Sequence, residues 1–113
     1  MSKYQEMDID IRWIPRSEET KQGWYAYFPK VDNVDLLMEV ANELITYWEE
    51  TTYSVFVVNG KSIRIGPAST QDDIRTFSSE VWLFYNYLLM NPEIHCSYAD
   101  WLTKLRKDFV DSL

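Results

Sequence analysis

The spacing of apolar and polar positions changes period several times along this chain, and each change marks an element. From Met7 to Ile14, Ile9, Ile11 and Trp13 alternate with Asp8, Asp10 and Arg12. That two-residue period predicts a half-buried strand. Pro15 ends it, and a wholly polar stretch, 16–22, leads to Gly23 as an inter-strand loop. A second strand runs from Trp24 to Phe28, with Trp24, Ala26 and Phe28 on one face and Tyr25 and Tyr27 on the other, and Pro29 closes it.

Helical spacing follows. Asp32-Asn33-Val34-Asp35 sets a capping residue three positions before an acid, the carboxylate form of a capping box. Val34, Leu37, Met38, Ala41, Leu44, Ile45 and Trp48 then recur at the helical period, and Leu36, Val40 and Tyr47 widen the stripe. Two β-branched runs flank Asn59-Gly60 between Tyr53 and Ile65, which predicts a hairpin with a two-residue loop. In that register Val58 faces Lys61, Val57 faces Ser62, Phe56 faces Ile63 and Val55 faces Arg64. Phe56, Ile63 and Ile65 share the core side, while Val55, Val57, Ser62 and Arg64 take the other.

Gly66-Pro67 breaks the last strand, and Ser69-Thr70-Gln71-Asp72 predicts the cap of a second helix. Ile74, Phe77, Val81, Phe84 or Tyr85, and Leu88 carry that helix to Asn91-Pro92, and the near-continuous apolar run from Val81 to Met90 makes it the central one. Ser97-Tyr98-Ala99-Asp100 opens a third, with Tyr98, Leu102, Leu105 and Phe109 inward and Lys104, Arg106, Lys107 and Asp108 outward. The order ββαββαα predicts a single α+β domain over 1–113: a mainly antiparallel sheet of about four strands with its helices on one face.

Composition changes this picture in two ways. With five Trp, eight Tyr and five Phe among 113 residues, aromatics make up 16% of the chain, more rings than a small core requires, so some are expected at the surface. The formal charge of −7 argues against direct nucleic-acid binding and against anionic lipid, both of which need a basic face, and favours a basic protein partner. The lone Cys96 cannot form an intrachain disulfide. The N-terminal residues carry no apolar signal-like run, so a reducing cytoplasm is the expected location.

Candidate chemistry is sparse, and no enzyme activity, cofactor or metal is expected. His95 and Cys96 are adjacent, which points their side chains apart, and a loop or cap role is the reading for both. Asp8 and Asp10 share a strand face roughly 7 Å apart; a metal-dependent hydrolytic site there, with His95 as a further candidate group, is a minor alternative. Neither Gly60 nor Gly66 belongs to a phosphate-binding loop.

The first helix carries the informative pattern. It contains no Lys or Arg, and Glu39, Asn42, Glu43, Thr46 and Glu50 fall on one polar face. Glu49 and Glu50 stand at its C-terminal end, where the helix dipole disfavours negative charge. This acidic ridge, with Tyr47 and Trp48 as aromatic anchors, is the predicted partner-binding surface. Tyr25 and Tyr27, with Trp24 and Tyr53 near them, form a second aromatic group on the sheet. The expected function is a small protein-binding domain of the inhibitor or immunity type, blocking a basic partner such as a nuclease toxin or defence factor. A homodimeric structural or adaptor module is the alternative.

Overall fold

Four antiparallel strands form one sheet in the order β1-β2-β4-β3, with β1 at Asp10–Ile14, β2 at Gly23–Tyr27, β3 at Phe56–Asn59 and β4 at Ser62–Ile65. The structure, a computed structural model, describes residues 4–5, 7–19, 21–52, 56–66 and 70–113, with the backbone alone at 50–52 and 56. Tyr53, Val55, Pro67 and Ser69, singled out above, lie outside the described residues, and the side chains of Glu50 and Phe56 are likewise not described. Helix α1 spans Val34–Thr52 and α2 spans Gln71–Met90. The last helix, α3, joins Tyr98–Asp100, a π-helical stretch Trp101–Leu105 and Arg106–Asp111 without a break. The predicted α+β order and antiparallel sheet are therefore present.

One sheet face meets the helices. Ala26, Phe28, Ile63 and Ile65 are fully buried, and Val58 packs against the same core. Helix α2 lies over β1, β2 and β4 while α1 lies over β3, and α3 packs on both helices. Leu37, Val40, Ala41 and Leu44 form the buried stripe of α1, and Ile74, Phe77, Val81, Phe84 and Tyr85 that of α2. Two further rings, outside the predicted stripes, are fully buried. Trp82 stacks on Phe28 with centroids 6.2 Å apart, and Trp101 lies 5.1 Å from Phe84. Much of the aromatic surplus is thus core.

The local starts and registers differ from expectation by small, explicable steps. The first strand begins at Asp10 rather than Met7, where pairing to Tyr27 begins. Asn33, not Asp32, caps α1: its Oδ1 accepts the Leu36 N–H at 3.1 Å, while the Asp32 carboxylate accepts from Gln5 Nε2 at 2.7 Å. Thr70 caps α2 one residue later than predicted, with Thr70 Oγ1 accepting from Asp73 N–H and Asp73 Oδ2 accepting from Thr70 N–H. That reciprocal pair satisfies two otherwise unpaired donors.

The hairpin loop is Gly60-Lys61, not Asn59-Gly60. Asn59 pairs with Ser62, Val58 with Ile63, Val57 with Arg64 and Phe56 with Ile65. The predicted register would have set Val58 opposite Lys61 on the core side. The observed one sets apolar against apolar there and leaves Asn59 with Ser62 outside, and Gly60 still supplies the left-handed backbone, φ 58°. Relative to the prediction the strands have slid by two residues, which preserves both faces where a slip of one would exchange them.

Candidate functional site

The acidic face of α1 stands clear of the sheet. Glu39, Asn42, Glu43, Thr46 and Glu49 are exposed, and α1 carries no basic residue to offset them. Beside this face an open groove of about 750 Å³ runs between α1 and the α2–α3 connection. Leu36, Val40, Leu88, Leu89 and Ile94 supply its apolar lining, and Glu39, Asn42, Glu43 and His95 its polar edge. Glu43 has a structural duty as well. Its Oε1 accepts the Tyr98 N–H at 2.6 Å, and Ser97 Oγ accepts the Asp100 N–H at 3.1 Å, so the two side chains together satisfy two donors of the first turn of α3.

The predicted aromatic anchors divide. Tyr47 is 38% exposed and meets Tyr98 edge to face at 5.2 Å. Trp48 is half-buried, its ring set edge-on to Phe77 at 5.4 Å. Both line a second groove, of about 520 Å³, between the three helices. At its base is a residue to which the helical pattern of the sequence assigns no role. Glu80, only 8% exposed, accepts from Arg106 Nε at 2.9 and 3.0 Å and again from Nη2, and accepts the Tyr98 hydroxyl at 3.2 Å.

Arg106 was expected to face outward. It turns inward because the π-helical stretch inserts an extra residue per turn, with the Arg106 N–H donating to the Trp101 carbonyl. That shift of phase carries Arg106 round to Glu80. Burial first, then the negative charge of Glu80, pushes the Tyr98 phenol well above its ordinary range. The signal available in the sequence was positional: Glu80 stands at helical spacing from the core residues Phe77 and Phe84 and directly before the apolar run that begins at Val81.

Tyr25 and Tyr27 are not brought to the α1 ridge. They lie on the sheet face turned away from the helices, where Tyr27 is 44% exposed and Tyr25 partly covered. The same face carries a row across all four strands, Arg12, Tyr25, Arg64 and Val57. The expected partner-binding residues thus occupy two surfaces in opposite layers.

The remaining candidates have local surroundings. Asp10 pairs with Arg12 at 2.9 Å on the surface, and Asp8 is exposed before β1 begins. Among the described residues no three His, Cys, Asp or Glu side chains group closely enough to hold a metal ion. His95 is exposed in the α2–α3 connection. Burial, then the charges of Glu43 and Asp100, pushes the adjacent Cys96 thiol up, against thiolate formation. No helix among the described residues is long and apolar enough to cross a membrane. No family model, curated protein or solved structure matches the chain.

Proposed function

We propose that this chain is a small protein-binding domain of the inhibitor or immunity type, whose contact surface is the acidic face of α1 with the groove beside it. The carrying observation is the combination of that groove's apolar floor with a rim formed by Glu39 and Glu43 on a helix lacking any Lys or Arg. Such a surface suits a basic segment that also presents apolar side chains, with charge guiding encounter and the floor holding the contact. A basic enzyme, of which a nuclease toxin is the clearest type, offers such segments around its substrate channel. Covering them would block it.

Glu43 cannot serve as a clean probe, because it also caps α3. The test is therefore an NMR titration with an amphipathic Lys/Leu peptide against its Glu/Leu counterpart, on the parent chain and on a Glu39→Lys/Asn42→Lys variant. Saturable shifts at Leu36, Val40, Leu88 and Ile94 with the basic peptide only, weakened about tenfold or more in the variant, support the reading. Equal binding by the variant, or shifts that map elsewhere, overturn it.

The exposed Tyr27 and Val57 on the open sheet face favour a second reading, a homodimer through that face. Sedimentation at rising concentration separates it: a mass that stays monomeric removes it. A metal-dependent enzyme at Asp8 and Asp10 is favoured least, since Arg12 already engages Asp10. Thermal stabilisation by Mg²⁺, Mn²⁺ or Zn²⁺ would restore it.

A further inference from the structure

The open face of the sheet has a polarity opposite to that of α1. A depression of about 300 Å³ is lined by Arg16, Lys21, Gln22 and Arg64. A neighbouring one of about 450 Å³ shares Lys21 and Arg64 and adds Tyr25, Val57, Ile14 and Glu19. Three cationic side chains and an amide therefore border the first space, and an aromatic and apolar shelf adjoins it.

The placement of these groups follows from the fold. Arg64 stands in register between Tyr25 on β2 and Val57 on β3. Its stem crosses Gly23 so closely that a methyl group there would lie 3.3 Å from Arg64 Cγ. The Tyr25 hydroxyl donates to the Lys21 carbonyl at 3.1 Å, which ties that part of the 15–22 loop to the sheet.

The charges around the site are unevenly used. Arg12, in the same row, is neutralised by Asp10 at 2.9 Å. Among the described residues, Arg16, Lys21 and Arg64 have no carboxylate within ion-pair distance, although Glu19 borders the larger depression. The net charge of −7 does not cancel this local excess. At physiological salt the screening length is about 8 Å, so acids on the far layer are felt only weakly here.

We propose that these joined depressions bind a phosphomonoester bearing a planar ring, its phosphate among Arg16, Lys21 and Arg64 and its ring against Tyr25 and Val57. A guanidinium fork matches phosphate oxygens two at a time, and Lys adds a mobile point charge. A ring beside Tyr25 gains stacking and lies against the Arg64 guanidinium, whose flat face also favours aromatic contact. The site is separate from the α1 surface and does not depend on the reading given for it.

The test is an NMR titration of the whole chain with inorganic phosphate, phenyl phosphate, phenol and adenosine 5′-monophosphate, repeated on Arg64→Gln and Lys21→Gln. Phenyl phosphate is expected to give saturable shifts at Gln22, Tyr25, Val57 and Arg64, with affinity about tenfold above that of phosphate or phenol alone. Either variant should weaken it by about fivefold or more, while a Lys107→Gln control on α3 leaves it unchanged. Tighter binding of the nucleotide than of phenyl phosphate marks a nucleotide as the source of the group; the reverse marks an aryl phosphate. Absence of saturation by about 20 mM, equal affinity for phosphate and phenyl phosphate, or unchanged binding in both variants overturns the proposal.

Discussion

Glu80 sits where a core residue belongs, on the inner side of α2, and its carboxylate is matched by two partners, Arg106 and Tyr98. A paired buried charge contributes little beyond what an apolar pair of equal size would, but a broken one is costly. Glu80→Leu should lower stability by about 2–3 kcal/mol, since Arg106 keeps part of its water and the full penalty of a buried orphan does not apply. The Glu80→Leu/Arg106→Leu double variant should be more stable than Glu80→Leu alone, and a urea-melt double-mutant cycle reads that coupling. Additive losses would show that the pair is not coupled. Tyr98 gives the same cluster a pH signature. Its phenol is held above the ordinary value of 10.0 in the folded chain, so between that value and the raised one the unfolded chain binds fewer protons than the folded. The stability that this phenol contributes is therefore fully present below pH 10 and is lost as pH rises beyond it. Denaturant melts at stepped alkaline pH should show that decline, with a shallower slope in Tyr98→Phe.

At the scale of elements, what a local pattern encodes differs from what pairing decides. Strand and helix existence was legible because Ile9, Ile11 and Trp13 alternate and Leu37, Ala41 and Leu44 recur at the helical period. The hairpin register was not, because Asn59-Gly60 is a good loop on its own, and only the cross-strand match of Val58 with Ile63 and the pairing of β4 to β2 set Asn59 in the strand. The turned face of Arg106 was equally hidden: a π-helical insertion alters phase without altering composition. Gly23 is where element pairing rests on a single residue. A Cβ there would lie 2.5 Å from the Ile65 carbonyl oxygen, on backbone that cannot withdraw without opening the β2–β4 ladder. Gly60, by contrast, has open space around it and only its left-handed φ of 58° to lose. Gly23→Ala should therefore cost about 2–4 kcal/mol and Gly60→Ala about 1 kcal/mol. Urea midpoints on the two variants give the comparison, and equal losses would mean that the close approach of the strands is not what fixes Gly23.

Across the whole molecule, charge and packing are distributed differently. The acidic helix could be found in the sequence because its residues are neighbours on one element. The cationic depression could not, because Arg16 and Lys21 come from a loop and Arg64 from β4, and a net charge of −7 conceals a local excess of the other sign. Packing has no such division. Helix α2 meets β1, β2, β4, α1 and α3, and the Gln5 amide N–H donates to Asn86 Oδ1 at 2.7 Å while the Tyr85 hydroxyl donates to Gln5 Oε1 at 2.8 Å, tying the described N-terminal residues to the same helix. An element that touches nearly every other leaves no boundary along which part of the structure can open cheaply, so unfolding should be one cooperative step. The tryptophans report on this directly, because Trp13 and Trp24 lie in the sheet, Trp48 on α1, Trp82 on α2 and Trp101 on α3. With fluorinated tryptophan incorporated, all five resonances should convert to the unfolded positions at one urea midpoint. Earlier loss of the Trp101 signal would instead identify α3 as a separable unit, held by Glu80 and Glu43 rather than by the shared aromatic core.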